Sequence, residues 1–516
     1  MDIILFTDIT NHPIPVKTIG AYKIANVLRK NGYNTVVIND LNYIIQNRLD
    51  DLFDFLDEKV SENTLYFGIS TTFLSVIKDN HDNTLVSQTG NAPLWVKHSH
   101  KKPYDYSHDE IESNFKLYPN FMKFINKLKS YNKKIVIGGS NHTSYLLNNL
   151  LKPDHWIQGL AETAIIQFTK DLISGKQMPQ LYSYDKFAAL YNFHNSHGTF
   201  TENDIVLENE TLPIEFSRGC RFKCKFCSYP LLGRNTKDTR YIKSEEAIYR
   251  ELKHNYDTFG TKNYFFLCDT FNETVEKLKI VKTAIDRIGI DCKFFSYLRI
   301  ELLHKNPDQI SILRDMGIGG AHFGIESLNY DSAKSIGKGL KTDLVLETID
   351  KCREAWGTDV VTMGSFIIGL PHDTPSTCDE WTKIITNGEI GLTSVSFKPL
   401  SMDMNTNEDD KIFYSEFERN MGKYGYKRHG DNWKNEHWTF DEACKYAEYI
   451  NSQWWATKKY GISPFNAMMY LTADYTWDEI TSAKKGDIMF EKIRDESYIR
   501  GNEKRNEYFD RMLSSF

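Results

Sequence analysis

Short apolar runs alternate with longer amphipathic stretches along most of this chain, and this alternation predicts an α/β protein. The first 170 residues contain one clear amphipathic helix, Ile19–Asn31, among several apolar runs. Apolar runs bounded by turn residues are typical of buried parallel strands. We therefore predict a separate α/β unit over residues 1–170. Its predicted strands are Ile3–Phe6, Thr35–Ile38, Leu65–Ser70 and Lys134–Gly139.

The same alternation repeats between residue 211 and about residue 400, where it predicts parallel strands joined by crossover helices. Ser244, followed by two glutamates, indicates the start of the first of these helices. In folds of this kind the chemistry lies at the carboxyl ends of the strands. The predicted strands are Ile214–Ser217, Asn263–Asp269, Lys293–Arg299, Ala321–Ser327, Thr362–Leu370 and Leu392–Pro399.

The two remaining segments have weaker patterns. Residues 171–210 show no sustained period, and we predict a linker there. Residues 401–516 are helical in character and dense in aromatic side chains, which predicts a mainly helical C-terminal domain. Those aromatic residues either form the core of that domain or shape a substrate cavity, where they would suit a flat substrate.

Composition narrows the class of protein. The 516 residues carry a formal net charge of -6, which gives no reason to expect bulk nucleic-acid binding. No apolar run is long enough to cross a membrane, and the N-terminus has no basic region typical of a signal peptide. Eight cysteines are too few for a secreted disulfide scaffold of this length. We expect a cytoplasmic protein with reduced thiols.

The most informative motif is a group of three cysteines, Cys220, Cys224 and Cys227, directly after the first strand of the second series. Three thiolates cannot complete a tetrahedral zinc site, but they can hold three irons of a [4Fe–4S] cluster and leave the fourth iron open. The alternatives are buried cysteines near a turn or a partial zinc site. Charged residues between the cysteines argue against burial.

This motif, with the aromatic Phe226 before its third cysteine, resembles the radical SAM superfamily. The resemblance implies a partial (β/α)6 TIM-like barrel over residues 211–400. It also implies a [4Fe–4S] cluster whose open iron binds S-adenosylmethionine (SAM) and whose electron releases a 5′-deoxyadenosyl radical. No cysteine precedes Cys220, and the later ones are scattered, so we expect a single cluster.

The resemblance also implies residues that bind SAM at the strand ends. Asp269 would contact the amino group, and Arg299 and Glu326 the carboxylate and ribose. The alternatives are a helix N-cap for Asp269 and ordinary ion pairs for the other two. Strand alternation places Ser296 and Arg299 on opposite faces, so both cannot line the site equally. The implied SAM residues are Phe226, Asp269, Ser296, Arg299, Glu326, Gly364 and Ile368.

The N-terminal unit resembles the Rossmann-like cobalamin-binding domain that precedes the barrel in one class of the superfamily. The histidine of the usual cobalamin motif is replaced by Thr10, and His12 stands two residues further along. A domain that is kept as a scaffold after it has lost its cofactor would show a similar sequence pattern. The polar insertion at residues 76–115 would either cover a ligand or take its place. The implied cobalamin residues are Thr10, His12, Ser70, Gly138, Gly139 and Gly159.

Together these features predict a radical SAM enzyme, with cobalamin-dependent methylation of an unactivated carbon as the expected reaction. The alternative is a cobalamin-independent radical rearrangement, cyclisation or fragmentation with a degenerate N-terminal domain. A more remote alternative is a non-catalytic iron–sulfur protein for electron transfer or sensing. We expect a small-molecule or peptide substrate and an electron donor such as flavodoxin or ferredoxin. The sequence identifies no catalytic side chain.

Overall fold

The computed structural model describes residues 1–9, 12–79, 85–86, 107–139, 142–183, 191–227, 241–402, 415–430, 432–457 and 459–516. Contacts divide the chain into two compact units. Unit 1 comprises Met1–Asn192, Gly198–Leu207 and Gly501–Phe516. Unit 2 comprises Phe193–His197 and Glu208–Arg500.

Unit 1 is built on a six-stranded parallel sheet with the strand order β2-β1-β3-β7-β8-β9. The strand order reverses between β1 and β3, and in open α/β sheets ligands bind at the carboxyl ends of the strands beside such a reversal. The edge strand β9 lies in the segment predicted as a linker, because three residues are too few to show a period. The strands are β1 (Ile3–Phe6), β2 (Thr35–Ile38), β3 (Tyr66–Ser70), β7 (Lys134–Gly138), β8 (His155–Gln158) and β9 (Leu181–Ser183).

Helices cover the sheet of unit 1 with apolar faces, such as that of α5, which buries Phe121, Phe124 and Leu128. The predicted insertion holds a small antiparallel sheet, in the order β5-β4-β6, and a helix. Residues 80–84 and 87–106 of that insertion lie outside the described residues. The elements are α1 (Ile19–Lys30), α2 (Leu41–Asn47), α3 (Leu49–Lys59), β4 (Ile77–Asp79), β5 (Leu85–Val86), α4 (His108–Asn114), β6 (Phe115–Leu117), α5 (Pro119–Ser130), α6 (His142–Leu151) and α7 (Glu162–Ile173).

The last sixteen residues of the chain pack within unit 1, although the sequence pattern groups them with the helical C-terminal segment. The Tyr508 hydroxyl accepts a hydrogen bond from the Asn39 amide at 3.0 Å. Arg505 lies 3.2 Å from the Asp40 carboxylate and donates to the Pro13 carbonyl at 2.9 Å. These bonds tie the C-terminal helix to the loops that follow β1 and β2.

A buried carboxyl beside this contact predicts a pH-dependent stability. Burial and the charge of Asp40 raise the pKa of Asp8 from 3.8 to about 7. The folded chain therefore retains a proton that the unfolded chain releases, so stability falls as pH rises from about 4 to about 7. We expect Asp8→Asn to raise the free energy of unfolding at pH 8 by roughly 2 kcal/mol, and by much less at pH 5.

Urea unfolding at both pH values measures this effect, with Asp50→Asn as the control because Asp50 is exposed in the first turn of α3. The control should unfold as the unmodified chain does at each pH. An equal gain for Asp8→Asn at pH 5 and pH 8 would contradict the prediction.

Unit 2 contains six parallel strands in sequential order, as the six predicted βα units require. The strands are β10 (Leu212–Ile214), β11 (Asn263–Phe266), β12 (Lys293–Leu298), β13 (Ile318–Glu326), β14 (Val361–Ile368) and β15 (Ser394–Pro399). The helices between them are α8 (Glu245–Phe259), α9 (Val275–Ile288), α10 (Ile300–Lys305), α11 (Asp308–Asp315), α12 (Tyr330–Ser335), α13 (Thr342–Trp356) and α14 (Pro375–Thr386).

Each barrel strand has one face against the helices and one face toward the interior. Phe323 stacks on Trp356 of α13, with ring centroids 6.3 Å apart, and Phe366 packs on Trp381 of α14. The alternate positions Tyr297, His322 and Ser365 therefore lie on the interior face, where Tyr297 is exposed and the other two are partly buried.

The helical part of unit 2 beyond β15 completes the barrel. Asn451 bonds both the amide and the carbonyl of Phe397, and so pairs the open edge of β15. Trp433 and Trp454 are fully buried, as expected for aromatic residues that form a core. No helix among the described residues is long and apolar enough to span a membrane. The later elements are α15 (Glu416–Arg419), a 3₁₀ turn (Met421–Tyr424), β16 (Lys427–His429), β17 (Asn432–Lys434), α16 (Phe440–Ala456), α17 (Pro464–Thr472), α18 (Trp477–Ser482) and α19 (Ile488–Ser515).

Candidate functional site

The three cysteines lie in the loop that follows β10, at the carboxyl end of the barrel. Cys220 is buried, and Cys224 and Cys227 are half-buried. The Cys227 amide donates to the Cys224 carbonyl at 3.1 Å, which makes a tight turn between these two residues. The Lys225 amide and carbonyl both bond to backbone groups outside the loop, those of Ile336 and Phe417. The loop is thus held by main-chain bonds on both sides.

The side chain of Arg299 contacts the cysteine loop. Its guanidinium donates to the Cys224 sulfur at 3.4 Å and lies 4.0 Å from the ring centroid of Phe222. It also forms an ion pair with Glu301 at 3.2 Å. Although burial alone raises it, the charges of Lys338 and Arg299 hold the pKa of Glu301 below its ordinary value. A cation at this position stabilises negative charge on the thiolates and on any cluster they hold.

At the ends of β12 and β13 the side-chain directions do not follow the alternation of a regular strand. Arg299 is the N-cap residue of α10, so it has left the strand and is not bound by the alternation that separates it from Ser296. Glu326 has a φ of 72°, at a break in the β13–β14 register. This left-handed conformation, which is unfavourable for a residue with a Cβ, directs the carboxylate of Glu326 to Lys338 at 3.1 Å.

Gly337 and Gly339 are not among the predicted site residues, yet this glycine segment lies beside the cysteine loop. A Cβ on Gly337 would lie 3.8 Å from the Lys223 carbonyl and 3.9 Å from the Cys224 Cα, and its φ is +85°. The Gly337 carbonyl accepts a bond from Arg299 at 3.2 Å. The glycine segment therefore packs directly against the cysteine loop, and the G-x-G pair beside the fourth strand was the available signal.

The buried Lys277 holds residues that lie next to the cysteine loop. Lys277 and Glu273 both have side chains that are 0% exposed, and their charged atoms are 3.0 Å apart. Lys277 also donates to the Ser217 hydroxyl at 2.6 Å and to the Thr270 carbonyl at 3.0 Å. The Thr270 hydroxyl in turn lies 3.3 Å from the Cys220 sulfur. This group joins the ends of β10 and β11 under the first cysteine.

The other residues predicted to bind SAM lie in two environments. Asp269 is exposed next to Thr270, and the helix after it is capped by Thr274, so Asp269 is not the N-cap. Phe226 is half-buried within the cysteine loop. Ser296 and Ile368 are fully buried on the face that packs against the helices. A Cβ on Gly364 would meet Leu392 at 2.7 Å on that same face, so any ligand contact there would come from the backbone.

The donor set fits an iron–sulfur cluster. Three thiols lie in one loop, a cation contacts one of them, and burial raises the pKa of the Cys220 thiol, so bound iron would displace its proton. Within the described ranges, no three potential metal ligands are already gathered around one point. Cys220, Cys224 and Cys227 would therefore have to close on the metal as it binds.

The interior face of the barrel carries polar side chains that the sequence analysis did not single out. The Tyr297 and His322 ring centroids are 5.0 Å apart, and the His322 Nε2 bonds to the Ser365 hydroxyl. Lys398 is exposed on the same face at the end of β15. Burial, together with the charges of Lys398 and Lys338, lowers the pKa of His322 to about 4. Polar residues at alternate positions of otherwise apolar strands were the signal that could have identified this face.

In unit 1 the predicted cobalamin residues lie at the carboxyl edge of the sheet. Ser70 and Gly138 are paired at the ends of β3 and β7. A Cβ on Gly139 would lie 2.4 Å from the Ser144 hydroxyl and 2.5 Å from that of Thr71, so only glycine fits. Gly159 follows β8 with a φ of +86°. This edge of the sheet therefore carries small residues and hydroxyl groups rather than large side chains.

The remaining two predicted cobalamin residues lie in the loop after β1. Burial and the charge of Arg505 lower the pKa of His12 to about 4, and its carbonyl accepts a 2.6 Å bond from Arg505. Thr10 lies outside the described residues. A separate cavity of about 620 Å³, lined by Lys129, Lys133 and Asp154, is at the opposite, amino edge of the sheet and so does not serve this site.

Comparison with known proteins agrees with this arrangement. Residues 214–384 match the family described as the radical SAM superfamily. An uncharacterized methyltransferase of Pyrococcus horikoshii is 31% identical over 162 residues, which are 31% of this chain and 33% of that protein. The bacteriochlorophyllide d C-8(2)-methyltransferase of Chlorobaculum tepidum is 25% identical over 186 residues, which are 35% of this chain and 40% of that protein. The matches thus span well under half the length of these curated relatives.

Two solved structures share the fold over most of the chain. The radical SAM methyltransferase TsrM from Kitasatospora setae has a TM-score of 0.54 at 12% identity, covering 82% of this chain and 76% of its own. The cobalamin-dependent SAM radical enzyme OxsB has a TM-score of 0.53 at 10% identity, covering 100% of this chain and 80% of its own. Residues 214–384 thus match the radical SAM superfamily, and the chain shares the fold of these two enzymes over most of its length.

Proposed function

We propose that this protein is a radical SAM methyltransferase that transfers a methyl group to an unactivated carbon with the help of cobalamin. The observation that carries the proposal is the cysteine loop at the carboxyl end of β10, with Arg299 against Cys224 and Glu326 on the neighbouring strand end. When bound, the cluster, SAM and cobalamin supply the electron, the radical and the methyl group that such a reaction requires.

The chain's own residues bind and orient these groups. Cys220, Cys224 and Cys227 would hold three irons, while Arg299 offsets the negative charge of the thiolates. Asp269 and Glu326 are carboxylates at strand ends, where they would accept hydrogen bonds from the ammonium and ribose hydroxyls of SAM. Phe226, Ser296, Gly364 and Ile368 would line or support the same site. In this assignment the polar residues at the strand ends bind the cofactors, and the apolar layer behind them supports the site.

We propose that unit 1 binds the cobalamin. The curated relatives are named as methyltransferases, and OxsB is described with aqua-cobalamin bound. The carboxyl edge of the unit 1 sheet has the small residues Ser70, Gly138 and Gly139 at the reversal in strand order, where a large ligand would approach the backbone. His12 and Gly159 lie on the loops of that edge. We propose a small-molecule or peptide substrate and a one-electron donor such as flavodoxin or ferredoxin.

The test is anaerobic reconstitution of the full chain with iron, sulfide and hydroxocobalamin, followed by metal analysis of the desalted protein. We expect about four irons, as for one [4Fe–4S] cluster, and stoichiometric cobalt. Reduced protein should then convert SAM to 5′-deoxyadenosine. A cluster without retained cobalt would overturn the cobalamin part and favour rearrangement chemistry. A cluster that never yields 5′-deoxyadenosine would overturn the radical mechanism itself.

A further inference from the structure

The interior face of the barrel in unit 2 has polar groups with no protein partner. The Lys398 ammonium and the Tyr297 hydroxyl make no hydrogen bond or ion pair with any residue that the structure describes. They flank His322, whose Nε2 bonds to Ser365 on the next strand. Polar groups with unused bonding capacity on one concave surface are typical of a ligand site.

The amino half of this interior is filled. Phe465 of α17 stacks on Phe265, with ring centroids 4.7 Å apart, and packs edge-on against Phe295. A Cβ on Gly320 would lie 3.0 Å from Pro464 of the same helix, so the helix approaches the strand as closely as glycine allows. A ligand in the barrel would therefore be confined to the carboxyl half, where Tyr297, His322 and Lys398 lie.

Of the two lysines near this face, Lys338 has an acidic partner and Lys398 has none among the described residues. Lys338 is paired with Glu326 at 3.1 Å, and it also lies near Glu301. Lys398 has no such partner among the described residues. Burial lowers the pKa of Lys398, and its charge is among the causes that keep His322 neutral. An unpaired ammonium on the inner face of a barrel is less well solvated than one on an open surface, so it attracts an anion more strongly.

We propose that the barrel interior binds a compact substrate with an anionic oxygen group, a carboxylate or a phosphate, that pairs with Lys398. The inference rests on the proposed function, because it names the substrate class of that same barrel. The neutral imidazole of His322, oriented by Ser365, and the Tyr297 hydroxyl would bond to other polar atoms of the substrate. These contacts would fix which carbon faces the cysteine loop.

The experiment measures protection of Lys398 in the reconstituted full chain. Trace acetic anhydride labels lysines, and mass spectrometry of the peptides gives the labelling rate of Lys398 and of Lys383, an exposed lysine on α14. The probes are sodium phosphate, sodium acetate and neutral acetamide, each with and without SAM. At an anion concentration about twice the Kd, roughly one third of the sites stay free, so Lys398 labelling should fall about threefold.

We expect phosphate or acetate, but not acetamide, to protect Lys398 while Lys383 is unaffected. Protection by phosphate would identify a phosphate group, and protection by acetate a carboxylate. Equilibrium dialysis measures anion binding by the variants. Binding should weaken at least about tenfold in Lys398→Met, and Lys398→Gln is used as well in case Lys398→Met folds poorly. The control Lys383→Met should bind the anion as the unmodified chain does.

Three outcomes would overturn the proposal: no protection by either anion, unchanged anion binding in both Lys398 variants, or complete protection by SAM alone. The last would place Lys398 in the cofactor site. Iron content and 5′-deoxyadenosine are measured on the same sample, so a failure of the proposed function is seen separately. Loss of anion protection with a working cluster contradicts this inference alone.

Discussion

Replacing any one of Cys220, Cys224 or Cys227 with alanine is expected to leave the reconstituted chain without its four-iron cluster and without detectable cleavage of SAM. Three thiolates that hold three irons leave no spare ligand within the loop, and the other five cysteines lie outside it in the sequence. The expected measurements are an iron content near zero, loss of the broad visible absorption and no 5′-deoxyadenosine.

Cys444→Ala is the matched control. Cys444 is half-buried, as Cys224 and Cys227 are, but it lies on α16 in the helical part of unit 2. Its replacement should leave iron content and 5′-deoxyadenosine formation unchanged. A cluster of full iron content in any of the three loop variants would show that the ligand set has been assigned wrongly.

Lys277→Met is expected to lower the free energy of unfolding by about 3–5 kcal/mol, because it leaves the buried carboxylate of Glu273 without a cation. One oxygen of Glu273 already has no hydrogen-bond partner among the described residues, so no other group there can replace the lysine. The change also removes the bonds to Ser217 and Thr270 that join two strand ends under Cys220. We therefore expect poorer retention of the cluster as well as lower stability.

Lys282→Met on the same helix provides the comparison. Lys282 forms an ion pair four residues from Asp286, but the two side chains are 28% and 53% exposed. Exposed pairs at this spacing contribute about 0.3–0.5 kcal/mol, so this variant should unfold almost as the unmodified chain does. Urea unfolding of the metal-free protein separates the stability effect from the cluster. Equal losses in the two variants would refute the importance of burial at Lys277.

A double variant tests the cause. Glu273→Gln removes the buried charge that Lys277→Met leaves unpaired, so the combined variant should recover a large part of the lost stability. Iron retention should recover less, because Ser217 and Thr270 still lack the ammonium that holds them. Full recovery of both would mean that Lys277 acts only as a counter-ion.

The sequence pattern was sufficient for the barrel strands and the cysteine loop. Six apolar runs with intervening helical stretches indicated parallel strands with crossover helices, and the family resemblance implied that they form a barrel. Each run contains or overlaps an observed strand from β10 to β15. This succeeded because burial on both faces of a parallel strand produces a local, continuous signal. Exact strand ends were less predictable: Asp269 and Arg299 lie outside β11 and β12, since a run of residues does not show where pairing stops.

Other features depend on contacts between residues far apart in the chain. Lys398, His322 and Tyr297 share one face only because β12 to β15 pair in the observed register. The association of Arg505 with Asp40 joins positions 465 residues apart. The glycines Gly337 and Gly339 do not by themselves predict a functional site in the sequence. Their importance is visible only in the structure, where Gly337 packs against the cysteine loop.

By itself, the sequence predicted the three candidate cluster cysteines and the two α/β units, because ligand spacing and hydrophobic period are local properties that a short segment shows completely. Only the tertiary structure decided that Arg299 contacts Cys224, that Lys277 supports Cys220, and that α17 closes the amino half of the barrel. Those contacts depend on packing and strand register, which bring distant side chains together and leave no mark in the local sequence.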